Sequence, residues 1–109
     1  MRPAEEVGNA NGPTPEDQLV DRQGRPYFLW DVEMTLEEFR TGLRDPDPEV
    51  RAYLAGKLMR QARVGDVDRF LSTADARSLW PLLSRYLGRT REAWRVRLGV
   101  GEEPQRADR

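Results

Sequence analysis

The chain has 109 residues, 34% of them charged, with no cysteine and no histidine; this is one domain's length, without a disulfide framework, a thiolate nucleophile or the commonest zinc ligand and general base. Formal net charge is −1, but residues 1–50 carry a balance of −7 and residues 51–109 a balance of +6, and all the basic residues but Lys57 are arginine. No run approaches the roughly 20 apolar residues of a membrane span, and the N-terminus lacks the basic-then-apolar pattern of a signal peptide, so a cytoplasmic location is expected.

Residues 1–24 combine Pro, Gly, Asn and acids with almost no apolar content, and a disordered acidic leader is expected there because so little burial cannot offset ordering entropy. Residues 25–31 then read as an extended aromatic lead-in, with Pro26 biasing Arg25 away from helix. Its Phe28 and Trp30 are expected to fold back over the core, leaving Tyr27 and Asp31 to face outward. Thr35 has Glu38 three positions on, the spacing of a capping box, and Leu36, Phe39 and Leu43 form the stripe of a first helix that stops before Pro46. Met34 sits just outside the cap, close to a hydrophobic staple on Phe39.

Asp47, Pro48 and Glu49 are respectively a good N-cap, a good first helical residue and a favourable charge at a positive helix end. Val50, Tyr53, Leu54, Leu58 and Ala62 then make a 3.6-residue stripe over 48–64, with Arg51, Lys57, Arg60 and Arg63 largely off it and Gly65 as a left-handed cap. Beyond it, Asp66 reads as the cap of a turn through Val67, Phe70 and Leu71. Ser72 and Asp75 repeat the capping spacing before Leu79 and Trp80, and Pro81 is expected to kink or restart that helix. Leu82, Leu83, Tyr86 and Leu87 continue the stripe to Gly88. Thr90 caps a last helix with Ala93, Trp94 and Leu98, ended by Gly99 and Gly101. The fold class is all-α: one small domain of four to five short helices over 25–99, followed by a polar tail at 100–109. Its expected core aromatics are Phe28, Trp30, Phe39, Phe70, Trp80 and Trp94.

Nothing in this pattern carries catalysis. The acidic pairs Asp45 and Asp47, Asp66 and Asp68, and Glu37 and Glu38 read as helix-start chemistry, with no histidine or third ligand beside them, so no enzyme, metal or cofactor is expected. Arg85, Arg89, Arg91, Arg95 and Arg97 cluster with Tyr86 and Trp94 interleaved, the composition of a nucleic-acid surface, although both aromatics also fit apolar stripes. The charge split is met either by pairing inside the fold or by an acidic partner.

Two resemblances add to this reading. "LRDPDPEVRAYLAGKL" resembles a HEAT-type helical hairpin at Leu43, Asp45, Asp47, Val50, Arg51, Ala52 and Leu58, which implies that Asp and Arg tie the turn to a neighbouring helix. More of the chain, about residues 26–94, resembles a family of small bacterial helical proteins often encoded beside nucleotidyltransferase-fold toxins of the abortive-infection type. The matching features are "YFLWD" at 27–31, the 58–63 helix end, Asp66 with Val67, Arg69 with Phe70, Trp80 with Pro81, and Trp94. The resemblance implies a non-enzymatic, antitoxin-like protein that binds such a toxin. The alternatives are a nucleic-acid-binding module using arginines 85–97 and a generic helical adaptor. Candidate partner-binding residues are therefore Tyr27, Asp31, Arg51, Arg85, Arg89, Arg91 and Arg95.

Overall fold

Short-range caps decide where most helices begin. In the computed structural model, which describes residues 13–100, Thr35 and Glu38 close a full capping box at the start of α1 (Leu36–Gly42), with side chain to N–H distances of 3.1 and 2.9 Å. Asp47 accepts from the Glu49 N–H at 2.9 Å and Pro48 takes the first position of α2 (Pro48–Gln61). Two further helices follow, α3 (Val64–Phe70) and α4 (Thr73–Leu83), the latter capped by the Ser72 hydroxyl at 3.0 Å from the Asp75 N–H. The last, α5 (Arg91–Leu98), ends in a Schellman turn at Gly99 (φ +67°), where Val100 N–H reaches back to the Arg95 carbonyl. The protein is all-α, with five α-helices and no strand among the described residues; the sole extended pairing is one bridge between Val20 and Pro26.

Helix α2 is the centre, packed against α1, α3, α4 and the 3-10 turns Tyr27–Leu29 and Ser84–Tyr86. Its middle is buried around most of its circumference, from Ala52 through Leu54 to Met59. Small residues there let neighbours come close: a Cβ on Gly56 would stand 2.6 Å from the Tyr86 Cβ. Phe28, Phe39 and Phe70 meet at one end with ring centroids 5.3 to 5.7 Å apart, Phe70 only partly buried. Trp80 and Trp94 are buried, and the Trp94 indole donates to the Met59 carbonyl at 3.1 Å, which fastens α5 to α2.

Several expectations are corrected. The leader is not disordered throughout: residues 13–24 pack on the domain, with a 3-10 turn at Glu16–Gln18 and with Thr14 and Leu19 buried. Asp21 closes the following turn, its carboxylate accepting the Gln23 and Arg25 N–H groups at 2.9 Å, and Gly24 supplies the positive φ of +80°. Residues 1–12 of the leader and 101–109 of the tail, Gly101 included, lie outside the described residues. Of the 25–31 lead-in, Pro26 is extended and bridged to Val20, but Tyr27–Leu29 form a 3-10 turn rather than extended chain. With three residues per turn, Phe28 and Leu29 point inward together and Trp30 falls on the other side, 75% exposed rather than in the core.

Helix α2 ends at Gln61, not at Val64, and Gly65 lies inside α3 rather than capping α2. The reason is a competing acceptor: the Arg63 N–H goes to the Tyr27 hydroxyl at 2.7 Å, and the chain turns extended at Ala62. Pro81 lies inside α4, which runs on to Leu83 before tightening into the 3-10 turn Ser84–Tyr86. Thr90 does not cap α5, because its hydroxyl donates to the Leu87 carbonyl at 2.7 Å instead.

Candidate interaction surface

Among the described residues the exposed aromatic side chains are Trp30, which follows the Tyr27–Leu29 turn, and Tyr53 on α2. Lys57, the only lysine, is 4% exposed; its ammonium meets Asp31 Oδ2 at 2.6 Å and lies 5.4 Å from the Tyr53 ring centre. Tyr53, 43% exposed, stands edge-on to Tyr86 at 5.7 Å, and the Tyr86 hydroxyl donates to Glu49, which also pairs with Arg85 at 2.8 Å. Trp30 adjoins Asp31 at the far end. These contacts join Asp31, Lys57, Tyr53, Tyr86, Glu49 and Arg85 into one strip drawn from three separated parts of the chain, which Trp30 borders through its chain neighbour Asp31. Beside Trp30 opens a cavity of about 310 Å³, lined by Val20, Pro26, Leu29 and Val32 among others, with Arg25 and Asp21 as its charged pair.

Local chemistry positions each member. Gln61 Nε2 donates to the Phe28 carbonyl at 2.6 Å and contacts Asp31 Oδ1 at 3.3 Å, so the aromatic turn is clasped to the C-terminal end of α2. Lys57 beside Asp31 holds that carboxyl below the usual carboxylate range. The Glu49 carboxylate, which the Tyr86 phenol donates to, raises the phenol above its ordinary value. A compact ammonium suits the Lys57 position, where it meets one Asp31 carboxylate oxygen and lies over the Tyr53 ring.

The expected partner-binding residues divide. Asp31 and Arg85 lie on the strip. Arg51 faces elsewhere and donates to the carbonyls of Asp45 and Pro46 at 2.6 and 3.2 Å, tying its own turn rather than a neighbouring helix. Of the remaining arginines, Arg89 is exposed, Arg91 lies over the Trp80 ring at 5.9 Å, and Arg95 is paired with Glu92 at 2.6 Å. Arg97 lies over Trp94 at 5.6 Å. The acidic N-terminal half and basic C-terminal half thus pair within the chain at Asp31 with Lys57 and at Glu49 with Arg85, while Glu92 serves its own helix. Among the described residues no group of acids is placed to hold a metal ion, and no helix is long and apolar enough to cross a membrane.

Tyr27 is half-buried, not outward-facing, and serves a second cluster that the sequence reading missed. Asp66 is 0% exposed and caps nothing; its Oδ2 accepts from the Tyr27 hydroxyl at 2.7 Å and the Thr14 hydroxyl at 2.5 Å. Its Oδ1 accepts from the Thr14 N–H at 2.7 Å and faces Arg69 Nε at 3.1 Å. Burial pushes the Asp66 carboxyl up, but the donors from Thr14 and Tyr27 and the Arg69 charge outweigh it and hold the group below its ordinary value. Burial, together with the Asp66 carboxylate, raises the Tyr27 phenol.

Comparison with protein-family models, with curated proteins and with solved structures finds no match for the chain.

Proposed function

We propose that the protein is a non-enzymatic binding module, antitoxin-like, that restrains a nucleotidyltransferase-type toxin by direct contact through the α2 strip. The observation that carries the binding reading is Trp30: a tryptophan three-quarters exposed, on a turn clasped by Gln61 and Lys57, beside an open cavity of mixed polar and apolar lining. Tryptophan, tyrosine and arginine are the side chains that dominate binding energy at protein interfaces, and the strip with the bordering Trp30 offers all three. A turn that is already fixed loses little entropy on docking. The partner class rests on the resemblance of residues 26–94 to the antitoxin-like family.

The contact chemistry favours an aromatic, charge-balanced docking mode. Asp31 and Glu49 are matched within the strip by Lys57 and Arg85, so it presents no net charge to a partner. Co-expression with the neighbouring gene product tests the proposal. A toxic neighbour is expected to co-purify with the wild-type chain and to be released by Trp30→Ala. A neighbour that is harmless, or that does not co-purify, overturns the toxin assignment; retention by Trp30→Ala overturns the strip.

A further inference from the structure

The docking turn is held from behind by the segment that precedes it. Thr14 gives Asp66 both its N–H and its hydroxyl, at 2.7 and 2.5 Å, and Arg69 donates to the Thr14 carbonyl. Tyr27, the first residue of the turn that carries Trp30, gives its own hydroxyl to the same Asp66 oxygen at 2.7 Å. A main-chain bond repeats the link: the Tyr27 N–H donates to the carbonyl of buried Leu19 at 3.0 Å. Residues 14–19 and the aromatic turn therefore share one buried carboxylate and one backbone bond.

That carboxylate makes the two parts interdependent. Asp66 is wholly buried while Thr14 is seated, and departure of Thr14 takes two donors from its carboxylate, a costly loss for a charged acceptor. Its remaining neighbours, Tyr27 and Arg69, must then re-arrange around it. Tyr27 cannot move alone, because its hydroxyl also accepts the Arg63 N–H at the junction of α2 and α3.

We propose that residues 14–19 are a strap that regulates the docking surface: seated on Asp66, the strap fixes the 27–31 turn with Trp30 outward, and lifting it loosens that turn and weakens partner binding. This rests on the reading of Trp30 as the docking anchor. Linkage makes the effect reciprocal, so a bound partner tightens the strap by the same factor. Any event that takes hold of the N-terminal segment thereby reaches the strip without touching it.

Amide hydrogen exchange on the full chain tests this. Thr14→Val removes the hydroxyl donor at nearly constant volume, and Thr14→Ser restores it. In Thr14→Val the Tyr27 and Leu29 amides are expected to exchange about tenfold faster or more, the factor implied by losing one hydrogen bond to a charged group. The Ala76 and Gly99 amides, bonded to the Ser72 and Arg95 carbonyls at α4 and α5, which carry no member of the cluster, stay at wild-type rates, and Thr14→Ser returns all four to wild type. Equal acceleration at all four, or none at Tyr27 and Leu29, overturns the strap. Should Thr14→Val not fold, Tyr27→Phe reads the link from its other end: the Gln18 amide, bonded to the Pro15 carbonyl at 2.9 Å, speeds up if the strap is coupled and is unchanged if it is not. With the co-purified partner in hand, Thr14→Val binds it more weakly than wild type does; equal affinity overturns the regulatory step. The exchange result stands even where no partner binds wild type, which separates failure of the strap from failure of the docking reading.

Discussion

Two aromatic residues two positions apart have opposite roles, and substitution separates them. Phe28 is fully buried against Phe39 and Phe70, so Phe28→Ala is expected to cost about 3–5 kcal/mol in a urea titration. Trp30 is mostly in solvent, so Trp30→Ala is expected to change stability by no more than about 0.5 kcal/mol while abolishing partner capture. Asp66 supplies a pH signature. Its folded pKa is depressed relative to about 3.9 in the unfolded chain, so its contribution is fully present above that value and is lost as pH falls through the folded one. Asp66→Asn keeps the volume and removes the charge. The variant is expected to be less stable than wild type by about 2–3 kcal/mol at neutral pH, with the gap closing below about pH 4. Urea midpoints measured from neutral to acid pH check this; a gap constant with pH would mean that the carboxylate charge contributes nothing.

At the scale of the elements, what sequence could reveal follows the range of the interaction responsible. Helix starts were legible because caps are local: Thr35 with Glu38, Asp47 with Pro48, and Ser72 with Asp75 each lie within four residues. The end of α2 was not, because the acceptor that takes the Arg63 N–H is Tyr27, 36 residues earlier. The order of residues 13–24 was hidden for the same reason, since Thr14 is satisfied by Asp66 across 52 positions. Asp21 and Gly24 did carry a local signal, that of a tight turn, but the surrounding polarity masked it. Of the strip, Asp31 is expected from sequence to face outward and Arg85 to belong to an arginine cluster, whereas Lys57 and Tyr53 exchange the places that helical periodicity assigns them. The seam between α2 and the Ser84–Tyr86 turn yields a prediction in which two effects oppose. Gly56→Ala gains about 1 kcal/mol of helix propensity, but the new methyl falls 2.6 Å from the Tyr86 Cβ, an atom fixed to the backbone. Overpacking of this kind costs about 1–3 kcal/mol, so the variant is expected to melt below wild type and to shift Tyr86 on the strip. Thermal unfolding followed by circular dichroism measures it; a higher midpoint would show that the turn yields freely.

For the molecule as a whole, charge placement separates the two functional readings. A nucleic-acid surface needs arginines free to replace counterions on phosphates. Here Arg85 is engaged by Glu49 and Arg95 by Glu92, which leaves exposed Arg89, Arg91 and Arg97 as the candidates for phosphate contact, the last two lying over the Trp80 and Trp94 rings. The α2 strip, in contrast, is electrically balanced and offers aromatic area. Partner binding through the strip is therefore expected to weaken by less than about tenfold between about 50 and about 200 mM salt, whereas a contact neutralising several phosphates loses about 10³-fold or more over that range. Affinity titrations of the co-purified complex at several salt concentrations, alongside labelled RNA and DNA, decide between them. A steep slope with nucleic acid, abolished by Arg89→Ala and Arg91→Ala together and untouched by Trp30→Ala, would move the function to the basic end of the molecule. A shallow slope with the protein partner, sensitive to Trp30→Ala and Tyr53→Ala but not to Arg89→Ala, locates it on α2.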